Sequence, residues 1–302
     1  MKNTSRIIPG FVAGVLLVAG GGMMNVTRNE AHNLITAPME TRNLPEKTPA
    51  DHGLPFEDVT VTSSDGLELA GWFIPSGNGA VIMMQHGYKS DREEMLNEAE
   101  MMHRHGYGIL LTTVRAHDHS QGETITFGMD EVKDMDAWYR YLLTRDDIDP
   151  EGIGILGNSY GGMLAIQYAS VNEEIKAVVA DCAFSSLNDT VSTSVTYFTD
   201  LPAFPFAPLI VFWAERETGF KTEDIDATKW IAQISPRPVF LMQGGADVVI
   251  SVDSGQRLYD AAGEPKELWF EPDLGHVDFA SDMPEEYERR VAQFFDTYLL
   301  GE

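Results

Sequence analysis

Short continuous apolar runs alternate along this chain with longer stretches in which apolar residues recur at helical spacing. Ala80–Met84, Tyr107–Thr112, Ile153–Leu156, Ala177–Ala180, Pro238–Met242 and Glu267–Phe270 have the length of strands, and most lack the polar alternation of a half-exposed one. Such runs suit strands covered on both faces. Between them, Glu93–His105, Met129–Leu143, Met163–Ser170, Gln256–Ala262 and Pro284–Leu299 predict helices. In the second of these, Val132, Met135, Trp138, Tyr139 and Leu142 form one apolar stripe. Ahead of the first buried run, Asp58–Ser63 alternates polar and apolar, turns at Ser64-Asp65-Gly66, and resumes over Leu67–Ile74, which predicts an antiparallel hairpin. Strands alternating with helices predict an α/β domain over residues 56–302, with a mostly parallel, twisted sheet and helices on both faces.

Three stretches fall outside this rhythm. Lys2 and Arg6 precede an apolar run, Ile7–Met24, of about 18 residues. Residues 1–26 are therefore expected to be a membrane anchor or a signal peptide. An anchor would leave the folded domain outside the cytoplasm, and a cleaved signal would release it as a secreted protein. Residues 27–55, with Pro38, Pro45, Pro49 and Pro55, read as a stalk. Residues 185–235 are too long for a simple crossover and carry Leu201–Trp213, apolar but interrupted by prolines. They lie just past the end of a strand, where ligands bind in such sheets, and are expected to cap a site with aromatic side chains lining an apolar pocket.

The formal net charge is −26, which opposes binding to nucleic acid or anionic lipid. Cys182 is the single cysteine. It allows no internal disulfide and no Cys-based metal site, and is expected to be a buried small hydrophobe.

The chemistry is carried by Gly157-Asn158-Ser159-Tyr160-Gly161, set between a strand and a helix. This G-x-S-x-G order puts the serine hydroxyl clear of a sharp corner, beside the N–H groups of a helix N-terminus. A serine needs a base and a group that orients the base. Asp247 follows the strand ending near Met242, and His276 follows the last strand, so acid and histidine come after Ser159 in the order this architecture uses. Asp253, Asp273 and Asp278 are rivals for the acid, but none directly ends a suitable strand. The oxyanion donors are expected to be the backbone N–H groups of Tyr160, next to the nucleophile, and of Tyr88, in the loop after an early strand. His86 is expected to brace that loop. His103, His105, His117 and His119 invite a metal reading, but the pair His117 and His119 lacks a third ligand and reads as solvated loop residues. Neither a metal nor a cofactor is expected.

These motifs resemble those of the α/β-hydrolase superfamily over about residues 56–300, on His86-Gly87, Arg115–Gly122, the serine turn, Gly245-Ala246-Asp247 and Gly275-His276. With the hairpin Asp65-Gly66-Leu67-Glu68-Leu69-Ala70-Gly71-Trp72, the chain is most similar to bacterial membrane-anchored, serine aminopeptidase-like or esterase-like hydrolases. The resemblance implies Ser159 as nucleophile, Asp247 as acid and His276 as base. It also implies a departure: Asp118 stands where a glycine is usual, with a distorted turn as the expected result. The apolar cap favours an esterase acting on short to medium acyl chains. The alternatives are a thioesterase, a serine peptidase of aminopeptidase type, and a silent anchored binding module.

Overall fold

The computed structural model describes residues 7–301, with side chains from residue 20 onward. Of the expected anchor or signal peptide, residues 1–6 lie outside the described residues, and only the backbone is described for residues 7–19. Among the residues whose side chains are described, no single helix is long and apolar enough to cross a membrane.

The elements run α1 (Ile7–Ile35), β1 (Glu57–Thr62), β2 (Glu68–Ile74), β3 (Val81–Gln85), α2 (Leu96–Arg104), β4 (Gly108–Thr112), α3 (Glu131–Leu142), β5 (Ile153–Asn158), α4 (Tyr160–Val171) and β6 (Ala177–Asp181). Then follow α5 (Leu187–Thr199), α6 (Ala203–Thr218), α7 (Ala227–Ile231), β7 (Val239–Gly244), α8 (Ser254–Ala261), β8 (Lys266–Glu271), α9 (Phe279–Asp282) and α10 (Pro284–Phe295). The strands form one eight-stranded sheet in the order β1-β2-β4-β3-β5-β6-β7-β8. The hairpin β1–β2 and the pair β2–β4 are antiparallel, and every other pair is parallel.

Successive side chains of a strand point to opposite faces, and the buried strands feed two cores. Val81 and Met83 pack on the face that carries α3 and α4, whereas Ile82 and Met84 pack on the face that carries α2 and α10. The hairpin is tied to the body through charge. The Arg115 guanidinium reaches Asp134 of α3 at 2.7 Å and Asp65 of the hairpin turn at 2.9 Å.

Residues 27–55 do not form the expected stalk. Thr27, Ala31 and Ile35 recur every four residues on the last turns of α1 and are buried, and α1 packs along α6. Beyond the helix, Ala37 N–H donates to the Glu123 carbonyl at 2.9 Å, and the Arg42 guanidinium donates to the carbonyls of Ser120 and Gly122. The segment is strapped to the domain because its small and apolar residues have a face to cover.

Between β6 and β7, residues 185–235 are largely helical, made of α5, α6 and α7. Pro205 and Pro208 fall in the first turn of the regular part of α6, after a break at Phe204. Backbone N–H groups there have no helical acceptor to lose.

Candidate active site

β5 ends at Asn158 and α4 begins at Tyr160, so Ser159 alone makes the corner. Its backbone sits at φ 55°, ψ −113°, a conformation that L residues rarely hold. The neighbours impose it. A Cβ on Gly157 would lie 2.2 Å from the Gly161 carbonyl oxygen, and one on Gly161 would lie 2.1 Å from that of Gln85. Only glycine lets strand, corner and β3 come this close. The Ser159 N–H donates to the Asp181 carbonyl at 2.7 Å, which pins the corner to β6.

Asp247 lies in the loop after β7, and its Oδ1 accepts the N–H groups of Val249 and Ile250, each at 2.8 Å. Its Oδ2 is 2.7 Å from His276 Nδ1, and His276 Nε2 is 2.8 Å from Ser159 Oγ. An ionised carboxylate only accepts, so Nδ1 carries the proton and the Nε2 lone pair faces the serine hydroxyl. The Asp247 side chain is buried, while that of His276 is 20% exposed, at the edge of a cavity. The three predicted side chains thus meet in one hydrogen-bonded line. Among the four aspartates weighed as the acid, Asp247 is the one bonded to His276.

Tyr88 and Tyr160 line the same cavity as Ser159. Tyr160 is the first residue of α4, so its N–H has no helical acceptor. The loop carrying Tyr88 is held by its neighbours. The Glu94 carboxylate takes the Gly87 N–H at 3.0 and 3.2 Å. The Tyr88 ring stacks on Phe127 at 5.7 Å, and its hydroxyl donates to the Leu34 carbonyl at 2.6 Å. His86 is buried with Nδ1 2.8 Å from the Gly87 carbonyl, which suits a brace for the loop.

The expectation for His117 is corrected. It is buried, not solvated, stacks on Tyr160 at 5.6 Å, and places Nδ1 2.8 Å from the Arg115 carbonyl. Burial, with His86 alongside, lowers its pKa well below the ordinary histidine value. His119 stays exposed. Asp118 adopts φ 49°, the left-handed conformation that a glycine would supply and that aspartate tolerates better than most residues. Its carboxylate is buried and 2.9 Å from Arg92 Nε. Arg92 in turn lies over the Trp72 ring at 4.3 Å. The aspartate keeps the turn and adds a buried ion pair.

Cys182 is buried as expected, but it abuts the site. Its Sγ accepts the Val277 N–H at 3.4 Å and shares a 4.8 Å neighbourhood with a carboxylate oxygen of Asp247 and a ring nitrogen of His276. Those three ligand types could hold a thiophilic cation only by giving up the Asp247–His276 hydrogen bond. Under the corner lie two buried acids absent from the sequence-based list. Glu98 accepts from Asn158 Nδ2 at 3.0 Å, and Asp181 ends β6 beside Cys182. Desolvation pushes each up to about 7.

The cavity has a volume of about 410 Å³. Ser159 and His276 line it, and Leu34, Phe184, Val191, Phe198 and Ile250 supply much of the apolar wall. Its one acidic lining residue among those described, Glu94, is engaged by Gly87.

The Pyrococcus furiosus esterase Pf2001 superposes with a TM-score of 0.74 at 28% identity, over 88% of this chain and 98% of that one. The chain belongs to the α/β-hydrolase superfamily. Residues 70–201 of this hydrolase match the family model described as X-Pro dipeptidyl-peptidase (S15 family). The protein YfhR of Escherichia coli (strain K12) is 27% identical over 237 residues, 75% of either chain. Acetyl xylan esterase 1 from Thermoanaerobacterium shares the fold, with a TM-score of 0.62 at 17% identity over 90% of this chain and 92% of that one.

Proposed function

We propose that the protein is a serine hydrolase that cleaves carboxylic esters of short to medium acyl chain through an acyl-enzyme. The observation that carries this reading is the line Ser159 Oγ–His276 Nε2–Asp247 opening on an apolar cavity. His276 Nε2 takes the hydroxyl proton as Ser159 Oγ attacks the ester carbonyl, and Asp247 stabilises the imidazolium that forms. The carbonyl oxygen becomes an oxyanion between the N–H groups of Tyr88 and Tyr160. Collapse breaks the bond to the alcohol, which leaves with the proton from His276. A water molecule then repeats the sequence in reverse roles, releasing the acid and free Ser159.

The match to the S15 model favours a second reading, a peptidase. A peptidase that binds a free amino terminus needs an acid to receive it, and Glu94 is already paired with the Gly87 N–H. The apolar wall suits an acyl chain better. Turnover of p-nitrophenyl esters of graded length, set against aminoacyl and X-Pro p-nitroanilides, separates the two. Esters are expected to be the better substrates in kcat/KM, and preference for the anilides would overturn the esterase reading. The run Ile7–Met24 supports a membrane-anchored protein with its hydrolase domain outside the cytoplasm. Recovery of the full-length chain in the soluble cell fraction would contradict that placement.

A further inference from the structure

We infer that the C-terminal end of α1 is a working wall of the substrate cavity, with Leu34 as a residue that sets acyl-chain length and Tyr88 as the residue that positions it. The inference rests on the ester-hydrolase reading above and extends it to a segment that the sequence presents as a leader and stalk.

Leu34 lines the cavity together with Ser159 and His276, although 125 positions separate it from the serine. Its place is fixed from three sides. The last carbonyls of a helix have no internal donors. Here the Tyr88 hydroxyl supplies one to Leu34 at 2.6 Å, and Lys89 Nζ supplies another to Asn33. The Ile35 carbonyl accepts the Ile125 N–H at 2.8 Å. On the outer side, α1 lies against α6, with His32 Nδ1 2.5 Å from Glu217 and Arg28 5.9 Å from the Trp213 ring.

Tyr88 therefore has two tasks. Its backbone N–H is the proposed oxyanion donor, and its side chain holds the helix end that closes the pocket. An acyl chain running from the carbonyl carbon bound to Ser159 Oγ along the apolar wall meets the Leu34 isobutyl group, so the bulk at position 34 limits its length. A single methylene fitted or refused by an apolar pocket changes kcat/KM by about 10-fold or more.

The test uses the full chain and its Leu34→Trp, Leu34→Ala and Tyr88→Phe variants. kcat/KM is measured on p-nitrophenyl acetate, butyrate, octanoate and laurate, with fluorophosphonate labelling of Ser159 and circular dichroism on each protein. Leu34→Trp is expected to lower the octanoate-to-acetate ratio about 10-fold, and Leu34→Ala to move the optimum toward longer chains. Tyr88→Phe keeps the ring and the backbone N–H. It is expected to raise KM for octanoate more than for acetate, whereas a merely structural defect would lower both rates alike. If both Leu34 variants are folded and labelled at Ser159 yet keep the parental chain-length profile, the inference is wrong while the hydrolase reading stands. If the parental protein is not labelled at Ser159, that reading falls and the inference falls with it.

Discussion

The serine corner and the loop carrying Tyr88 face the same cavity but are held in different ways. The corner takes its shape from its own neighbours in sequence, and Gln85 of β3 and Asp181 of β6 close on it. Gly157, Gly161 and the start of α4 leave one path for the backbone, and Ser159 occupies it at positive φ. The Tyr88 loop is held by Glu94 close by in the chain and, from afar, by Phe127 and by the Leu34 carbonyl at the end of α1. A nucleophile can thus be specified by a few adjacent residues, whereas the surface that receives its intermediate depends on contacts the chain makes only when folded.

Substitutions can break this contrast, and their expected effects fall in order. Ser159→Ala is expected to lower kcat by about 10⁴-fold or more while leaving the thermal midpoint nearly unchanged, since it removes a reacting atom and no packing. Residual ester turnover close to the parental rate would refute the role of the corner. Asp118→Ala strands the Arg92 guanidinium in a buried position and is expected to cost about 3–5 kcal/mol in chemical denaturation. A loss below about 1 kcal/mol would mean that Arg92 finds water instead. Glu94→Ala releases the Gly87 N–H and loosens the oxyanion loop. A drop of about 10–100-fold in kcat, with a smaller change in stability, is expected from removal of one hydrogen bond to a charged group.

The smallest effect concerns the buried acids under the corner. Both Glu98 and Asp181 are raised to about 7 by desolvation. A raised folded-state pKa adds stability that is complete below the unfolded pKa, about 4, and is lost as pH climbs through about 7. Stability should therefore decline from pH 4 toward pH 7 through these two groups and level off above. Asp181→Asn removes one of them. The variant should show a flatter profile of denaturation free energy against pH, and should exceed the parent near pH 8 by about 1–3 kcal/mol. Parallel profiles for the two proteins would show that Asp181 does not titrate with folding.

The same contrast explains what could be read before the fold was known. The strand runs, the hairpin and the serine corner rest on local patterns: β3 to β8 lie where the apolar runs predict them, and β1 and β2 where the hairpin pattern does. Asp247 and His276 could be picked out because each follows a strand end, and such ends converge in a parallel sheet. Arg92 meeting Asp118 and Cys182 lying within 4.8 Å of the Asp247–His276 pair carry no such signal, because each depends on which loops the sheet order brings together. The docking of α1 was obscured for another reason. Its buried stripe begins with a polar residue, Thr27, and the prolines that follow have the composition of a linker. The four-residue spacing of Thr27, Ala31 and Ile35 was the available clue.

Labelling of the purified full-length protein with a fluorophosphonate, followed by peptide mass spectrometry, tests the central claim most directly. The account predicts one adduct, on Ser159, absent from Ser159→Ala and formed much more slowly in His276→Ala. Folded protein that takes no adduct, or takes it on another residue, would contradict it.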